Sequence, residues 1–310
     1  MNWDIVCAGM ALVDSIIRGF DPEPVSASGF RAASGTLNAG GEAVNEAIAA
    51  AKLGCRTAIL CALGEDGAGD MVRAALRRAE VCTDLIVRSP ETPVTTLFVR
   101  EDGSRRSITN EAHRYNFHPE QYLSRIRGAK ALILGSLFRA PFDDPDLILA
   151  VVRGAKDAGQ LVMADTKLPN FRKLSLADVR GALPWIDYLT PNEDEARFLT
   201  GLEEPEAMAD ALLEQGVRNV ILKLGPRGCL LKNREGMLRL PAYRIHAVDA
   251  TGAGDHFVAG FTSEIIRGST PEEALRFGNA CGAICTTAVG AGTALESREQ
   301  VLDWMRNRPL

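Results

Sequence analysis

The chain has 310 residues, 46% of them hydrophobic and 24% charged, which is enough to bury one large α/β core or two smaller ones. Its formal net charge of -5 comes from 35 basic and 40 acidic residues mixed along the sequence, which disfavours a nucleic-acid-binding surface. No apolar stretch approaches the ~18–20 residues of a membrane-spanning helix, and we expect no signal peptide. The seven cysteines are scattered without a C-x-x-C pair, which favours free thiols and a cytoplasmic location.

The first part of the chain alternates between strand and helix patterns, with two interruptions. The patterns predict a strand at 5–9, a helix from about 39 to 53, a strand at 56–63 and a helix at 68–80. Residues 15–38 contain many Gly, Pro, Ser and Thr residues and keep no helical period. Residues 95–100 and 105–110 are strand-like and flank an Asp-Gly turn, which predicts a β-hairpin. We expect residues 15–38 and 93–110 to form a small β-sheet outside the main body.

From residue 131 onward the alternation is regular. The predicted strands are 131–135, 161–165, 188–191 and 219–224, with short strands up to 240. The predicted helices are 144–158, 174–183, 193–199, 206–215, about 255–267, 271–288 and 297–306. Repeated βα units predict a parallel sheet with helices on both faces, whose ligand lies beyond the carboxyl ends of the strands. The polar residues that follow predicted strands are therefore candidates for one cleft: Asp14, Asp165, Asn192, Gly225 and Asp249.

One stretch is hard to explain by folding alone, namely Asp249-Ala250-Thr251-Gly252-Ala253-Gly254-Asp255. It leads into an apolar helix, and a helix N-terminus presents unpaired N–H groups and a positive dipole end to an anion. A carboxylate such as Asp255 in the first turn can simply complement that dipole. Here it shares a glycine-rich anion site with a second carboxylate, which favours a role in catalysis.

Motifs of competing chemistries are absent from the sequence. It contains no P-loop, dinucleotide-binding glycine pattern, nucleophile elbow or zinc-binding His-Glu-x-x-His, and its four histidines lack metal-ligand spacing. Three further stretches open helices or turns: Gly40-Gly41 with Asn45, Asn192 with Glu195, and Gly225 with Gly228. Taken alone, each is explained by helix capping or a turn.

Taken together, in this order and spacing, these stretches resemble the ribokinase-like (PfkB-type) carbohydrate kinase family. Gly40, Gly41 and Asn45 match its N-terminal signature, residues 249–255 its C-terminal signature, and Asn192 with Glu195 its Asn-x-x-Glu motif. The resemblance spans essentially the whole chain. It implies a single ribokinase-like domain over 1–310, with a three-layer α/β fold and a small β-sheet lid from segments 15–38 and 93–110.

The resemblance also implies roles for individual residues. The catalytic residues would be Asp255, as the general base that accepts the proton of the sugar hydroxyl, and the backbone anion hole of Gly252, Ala253 and Gly254. The substrate contacts would be Asp14, Gly40, Gly41 and Asn45. The nucleotide contacts would be Lys167, Asn192, Lys223, Gly225, Gly228 and Asn279.

The implied cofactors are ATP, Mg²⁺ and K⁺. Glu195 would hold Mg²⁺ through water, and Asp249 and Thr251 would lie beside K⁺ together with backbone carbonyls of residues 286–292. The implied partners are a small-molecule sugar substrate and a second copy in a homodimer, without nucleic acid or membrane.

Some positions depart from the family pattern. Ala250 and His256 differ from the commonest residues of the C-terminal signature, and we interpret His256 as a packing or surface residue. Glu42 stands where ribokinase has a lysine, and residues 134–139 lack its acidic sugar contact, so ribose is not favoured. Four arginines are candidates for recognising an anionic substrate, with exposed surface positions as the alternative: Arg105, Arg106, Arg139 and Arg172.

The expected function is ATP-dependent phosphorylation of a hydroxyl of a small sugar or sugar acid. A nucleoside kinase of the same fold is the first alternative, although only 6% of the residues are aromatic. A catalytically silent sugar- or nucleotide-binding regulator is the second, which the intact 252–255 segment disfavours.

Overall fold

The computed structural model describes residues 2–19, 31–100, 105–110, 117–170 and 172–308. The strands are β1 (Ile5–Ala8), β2 (Leu12–Arg18), β3 (Ser34–Gly40), β4 (Thr57–Leu60), β5 (Ala62–Gly64), β6 (Val87–Ser89), β7 (Val94–Val99), β8 (Arg105–Thr109), β9 (Ala131–Leu137), β10 (Leu161–Thr166), β11 (Tyr188–Thr190), β12 (Asn219–Lys223), β13 (Cys229–Asn233) and β14 (Gly236–Leu240). The α-helices are α1 (Glu42–Lys52), α2 (Gly67–Arg78), α3 (Leu123–Ile126), α4 (Pro145–Asp157), α5 (Glu193–Thr200), α6 (Pro205–Glu214), α7 (Ala253–Ile265), α8 (Pro271–Cys285) and α9 (Arg298–Arg306).

An eight-stranded sheet forms the centre of the molecule, in the order β14-β13-β12-β11-β10-β9-β1-β4. The strands from β12 to β4 run parallel, and β13 and β14 complete one edge antiparallel. The prediction of a mostly parallel sheet is therefore confirmed. The carboxyl ends of β9 to β12 meet at one edge, which is where a ligand of such a sheet binds.

Helices cover both faces of this sheet and create two separate cores. Along β1, Ile5 and Cys7 join the core under α1, α2, α7, α8 and α9, whereas Val6 and Ala8 join the core under α3 to α6. Successive strand residues point to opposite faces, so a strand buried on both faces is apolar throughout. This explains why β1 appears in the sequence as an unbroken apolar run.

A second, four-stranded sheet lies outside the main one, in the order β3-β2-β7-β8. The β7–β8 hairpin is antiparallel, as predicted, and β2 joins it in parallel. The expected segments 15–38 and 93–110 thus supply this small sheet, with strand bounds at 12–18, 34–40, 94–99 and 105–109; residues 20–30 and 101–104 lie outside the described residues.

Two sequence-based expectations about local structure are wrong. The helix expected at 174–183 does not form; the segment consists of turns followed by a short 3-10 helix, Leu183–Trp185. There the Asp178 carboxylate accepts hydrogen bonds from the backbone and hydroxyl of Ser175, and Pro184 disfavours a helix through the residue before it. Asp14 lies inside β2 and Asp249 lies in an irregular segment, so neither directly follows a strand.

Candidate active site

A cavity of about 760 Å³ opens at the carboxyl ends of the central strands and extends to the small sheet. Of the residues to which the family resemblance assigns a role, thirteen line it: Asp14, Gly41, Asn45, Lys167, Asn192, Glu195, Lys223, Gly225, Thr251, Gly252, Ala253, Gly254 and Asp255. Asp165, a candidate because it follows a predicted strand, lines it as well. The fold therefore gathers residues from across the chain into one cleft.

The N-terminus of α7 forms one wall of this cavity. Gly252 precedes the helix with a φ of 79°, a left-handed conformation that glycine adopts without strain. A Cβ atom at this position would also lie only 2.6 Å from the Cβ of Ala291. Only glycine therefore allows the chain to turn here into the N-terminus of α7, whose first N–H, that of Ala253, donates to the Ala250 carbonyl at 3.3 Å. The positive end of the helix dipole at this point favours an anion.

Asp255 lies in the first turn of α7 and is almost fully buried, with 8% exposure. Asn45 of α1 donates its side-chain N–H to the Asp255 carboxylate at 2.6 Å. Burial, followed by the nearby Glu42 carboxylate, raises the pKa of Asp255 to about 7. A carboxylate with a pKa near neutrality is suited to accept a proton at physiological pH.

Asp14 faces the same cavity from the small sheet. It aligns with Thr95 of β7, which aligns with Thr109 of β8, and the two threonine hydroxyls are 2.9 Å apart. Burial and the Glu42 charge raise the pKa of Asp14 to about 6. Gly40 lies against it, because a Cβ at Gly40 would overlap the Asp14 carboxylate. This row of polar groups is suited to bind hydroxyls of a substrate.

An ion pair crosses the floor of the cavity between α1 and the residue after β10. The Lys167 ammonium lies 2.8 Å from one oxygen of Glu42, and the Ser136 hydroxyl donates to the other oxygen at 2.5 Å. Although burial alone would raise it, the pKa of Glu42 is lowered to about 2 by Lys167 and these hydrogen bonds. The Glu42 and Asp255 charges in turn raise the pKa of Lys167. Both groups are therefore charged at neutral pH.

A second cation of the cavity, Lys223 at the end of β12, is only 13% exposed and binds Asp165 at the end of β10 at 2.5 Å. Although burial favours its neutral form, Asp165 and Glu195 raise the pKa of Lys223. A Cβ at Gly254 would lie 3.2 Å from the Lys223 ammonium, so this charge lies directly beside the N-terminus of α7. The cavity thus places two cations and a helix dipole around one region, a favourable site for phosphate.

Asn192 and Glu195 form the capping box of α5, the structural explanation that the sequence also offered. Glu195 accepts from the Asn192 backbone at 2.9 Å and from the Thr166 hydroxyl at 2.8 Å, and it is 4% exposed. Both residues also line the cavity. A carboxylate fixed in this way at a phosphate-binding region fits a role in holding Mg²⁺ through water.

Asp249 stabilises the loop ahead of α7. Its carboxylate accepts hydrogen bonds from the backbone and hydroxyl of Thr251 and from the backbone of Gly290, and Arg18 of β2 lies 3.6 Å away. Although burial would raise it, these contacts lower the pKa of Asp249. The expected partners of a potassium ion are thus neighbours, with a protein cation beside them.

A comparison of the sequence with protein-family models shows the family. A protein-family model described as pfkB family carbohydrate kinase matches residues 4–298. The chain belongs to the pfkB family of carbohydrate kinases. It is therefore a phosphotransferase with an alcohol group as acceptor.

Individual relatives agree with this membership. The ribokinase of Haemophilus influenzae is 27% identical over 280 residues, covering 86% of this chain and 87% of that protein. Probable fructokinase-5 of Arabidopsis thaliana is 30% identical over 327 residues, covering 98% of each. The solved structure of Arabidopsis thaliana ribokinase, complexed with ribose and ATP, superposes with a TM-score of 0.83 at 26% identity and 99% coverage of both chains.

Four predicted site residues of this carbohydrate kinase lie outside the cavity lining: Gly40, Gly228, Asp249 and Asn279. Gly228 has a φ of 89°, and a Cβ there would overlap the backbone of Leu240, so a turn requires it. Asn279 donates to the carbonyl of Pro241 at 3.3 Å. The roles of these four residues toward substrate, nucleotide or cation stay predictions.

Of the four candidate arginines, only Arg139 lines the cavity within the described part of the chain, with its Nε donating to the carbonyl of Leu168 at 2.7 Å. Arg172 pairs with Asp144 at 2.8 Å, and Arg106 is exposed. The side chain of Arg105 lies outside the described residues. His256 is fully buried, with Nδ1 2.8 Å from the carbonyl of Gly252, so of its two interpretations the packing residue is confirmed and the surface residue is wrong.

Several polar residues in or near the site were missed in the sequence, among them Ser136 and Glu46. Ser136 binds Glu42 from a left-handed conformation with a φ of 73°. Glu46 of α1 is fully buried, and neither of its carboxylate oxygens has a hydrogen-bond partner among the described residues. Burial and the Asp165 and Asp255 charges raise its pKa, so we expect it to be neutral. The available signal was a glutamate among the buried alanines of α1, such as Ala43, Ala47 and Ala50.

Proposed function

We propose that this kinase transfers the γ-phosphate of ATP to a hydroxyl of a small sugar or sugar acid, with Asp255 as general base and the backbone N–H groups of residues 252–254 as anion hole. The supporting observation is the buried Asp255 carboxylate, with a pKa of about 7, at a helix N-terminus inside the cavity that Lys167 and Lys223 line.

The proposed reaction follows from these positions. Asp255 accepts the proton of the acceptor hydroxyl as the hydroxyl oxygen attacks the γ-phosphorus. The bond from that phosphorus to the bridging oxygen of the β-phosphate breaks, and ADP leaves with the bond's electron pair. The N–H groups of 252–254 and the two lysines stabilise the negative charge on the transferred group, so positioning and electrostatics supply the catalysis.

ATP as donor is supported by the likeness to Arabidopsis thaliana ribokinase, which was solved with ribose and ATP. Asn192, Lys223 and Gly225 line the region where its phosphates would lie, and we extend the nucleotide site to Gly228 and Asn279. Glu195 would hold Mg²⁺ through water. Bound there, Mg²⁺ would neutralise phosphate charge.

A sugar fits the cavity better than a nucleoside. No aromatic side chain lines the cavity among the described residues, and a nucleobase is usually recognised by stacking on one. The small sheet instead presents the hydroxyls of Thr95, Ser107 and Thr109 and the Asp14 carboxylate to the cavity. We propose that the small sheet acts as a lid over the sugar, within one kinase domain that extends over 1–310.

A phosphorylation screen tests the proposed function. Pentoses, hexoses, sugar acids, sugar phosphates and nucleosides are offered with MgATP, and ADP release is measured. We expect turnover with a sugar or sugar acid that is absent from Asp255→Asn. Turnover with nucleosides alone would favour the nucleoside kinase, and no turnover with any class would contradict the proposal.

A cytoplasmic location is proposed as well, because all seven cysteines are free thiols. No described helix is long and apolar enough to cross a membrane.

Activity should depend on a small monovalent cation. We propose that K⁺ lies beside Asp249 and Thr251, near the 286–292 backbone, and stabilises the loop that precedes α7. Replacing potassium by tetramethylammonium should then lower kcat, measured as ADP release at constant ionic strength. Arg18→Met, which removes the protein cation beside Asp249, should steepen this dependence. Equal rates in both salts would remove Asp249 from an ion site.

A homodimer is proposed through the outer face of the small sheet. Leu37, Ser15, Thr96 and Ile108 align across its four strands on the face opposite Asp14, and Leu37 and Ile108 are 59% and 66% exposed. Ile108→Glu should convert the dimer to a monomer in sedimentation, because it would bury a charge in an apolar contact. Met237→Glu changes an exposed residue of β14 and serves as control. A wild-type monomer at all concentrations would rule out this interface.

A further inference from the structure

The ion pair of Glu42 and Lys167 joins three separate elements at the floor of the cavity. Ser136 comes from β9, Glu42 is the first residue of α1, and Lys167 directly follows β10. The contacts are 2.5 Å from the Ser136 hydroxyl to Glu42 and 2.8 Å from Glu42 to the Lys167 ammonium. Ser136 holds an unfavourable left-handed conformation, and such residues cluster at functional sites.

We propose that Glu42 is a positioning residue of the phosphoryl transfer, which fixes the Lys167 ammonium between the acceptor hydroxyl and the γ-phosphate and holds a negative charge beside the base Asp255. This inference rests on the proposed function, since it assigns a task within that reaction. Glu42 is at the start of α1, next to Gly41 and three residues before Asn45, and it lines the same cavity as Asp14 and Asp255, with its charge acting on both.

The geometry leaves Lys167 able to bind a phosphate. A lysine ammonium carries three hydrogens, and the Glu42 carboxylate engages it from one side. Both Lys167 and Glu42 line the cavity, and the Lys167 charge interacts with Asp255 and with Glu195. These two residues are the proposed base and the proposed Mg²⁺-binding residue, so the charge of the ammonium acts on both ends of the reaction. A fixed cation at that point stabilises the transferred group without needing to reorganise.

Glu42 also affects the base through its charge. The groups that face Asp255 are Glu42, Asn45 and Glu46 of α1, Asp165 of β10, Lys167, Lys223 of β12 and Cys285 of α8. After burial, Glu42 is the largest influence that raises the pKa of Asp255, and Lys167 opposes it. Removing the Glu42 charge should therefore make Asp255 easier to deprotonate. Removing the Glu42 and Lys167 charges together should leave the pKa of Asp255 close to its wild-type value, because their two effects oppose each other.

The first test is the pH profile of kcat/KM with the best acceptor from the screen. Glu42→Gln keeps an oxygen for the Ser136 hydroxyl but loses the charge. The acid limb of the profile, where kcat/KM falls as Asp255 becomes protonated, should therefore shift to lower pH by about one unit. Its kcat should fall about 10- to 100-fold because Lys167 is no longer fixed. The double variant Glu42→Gln/Lys167→Met should return the limb toward the wild-type pH. Its kcat should match that of Lys167→Met alone, because Glu42 acts through Lys167.

Control variants separate charge from shape. Glu42→Asp keeps the charge but is one methylene shorter, so it should lower kcat while leaving the acid limb in place. Glu214→Gln makes the same chemical change on the exposed end of α6 and should alter neither quantity. An acid limb of Glu42→Gln that stays in place or moves upward, or multiplicative kcat losses in the double variant, would overturn the proposal.

A second measurement needs no acceptor and distinguishes the two proposals. Carbon-13 NMR of protein labelled at aspartate Cγ follows the titration of Asp255, with Asp255→Asn for assignment. The signal should titrate at lower pH in Glu42→Gln than in wild type. If it does so while the screen finds no acceptor, the function is wrong and the charge coupling stands. If the screen succeeds and the titration does not move, the inference on Glu42 is wrong.

Discussion

Replacing Asp255 by asparagine should lower kcat by ~10²–10⁴, the usual contribution of a general base. Asparagine has the same shape, and its carbonyl oxygen can still accept the hydrogen bond from Asn45. It cannot accept the proton of the acceptor hydroxyl. Affinity for MgATP should remain close to wild type in titration calorimetry, because the N–H groups of 252–254 and the two lysines are unchanged.

The same variant should gain stability at alkaline pH. The pKa of Asp255 rises from an ordinary value of 3.8 to about 7 in the folded state, first because of burial. The folded protein therefore holds this proton between about pH 4 and 7 while the unfolded chain releases it, so stability falls as pH rises through that window. Asp255→Asn removes the loss, and its Tm at pH 8 should exceed that of wild type. A gain in stability on replacing a catalytic residue is typical, because active-site residues are selected for activity at some cost in stability.

Asp157→Asn, at the exposed end of α4, is the matched control and should change neither kcat nor Tm. Turnover of Asp255→Asn equal to wild type would remove Asp255 from the role of base. A loss of activity accompanied by a lower Tm would instead point to a structural role.

The sequence predicted the parallel body because buried strands such as β1 and β9 are apolar throughout and alternate with helical periods. It predicted the β7–β8 hairpin from local turn chemistry. It failed at 174–183, where a side-chain contact between Asp178 and Ser175 and the position of Pro184 override an apolar pattern of helical spacing. Whether a side chain such as Asp178 hydrogen-bonds its local backbone in place of a helix is only weakly indicated by residue type.

The cavity was predictable where a motif or the carboxyl end of a predicted strand marks it. Residues 252–255 and Asn45 carry the family signatures, and they meet through the Asn45–Asp255 hydrogen bond. The Glu42–Lys167 pair has no such mark, because its partners are far apart in sequence and meet only when the start of α1 comes next to the residue that follows β10. Pairings across a sheet depend on the tertiary fold, which no local pattern records.

Replacing Lys223 by methionine should lower the free energy of unfolding by about 3–5 kcal/mol, the usual cost of breaking a buried ion pair from one side. The ammonium binds Asp165 at 2.5 Å, and the two side chains are 13% and 4% exposed. Without it, Asp165 would remain buried near Glu46, Glu195 and Asp255, all of them acidic. Methionine fills the same volume, so the loss reports the missing charge rather than a cavity. Urea unfolding at pH 7.5 measures it.

The pairing itself is tested by removing both charges. Lys223→Met/Asp165→Asn should recover much of the lost stability, because no unpaired charge is left at that position. Lys173→Met removes an exposed lysine and should leave the urea midpoint unchanged.

Activity should not return in the double variant, since Lys223 also lies beside Gly254 in the proposed anion hole. A double variant as unstable as Lys223→Met would show that Asp165 is not the partner that makes this lysine necessary for folding. Recovery of both stability and turnover would show that the lysine serves the fold alone, and that the helix N-terminus and Lys167 hold the phosphate without it.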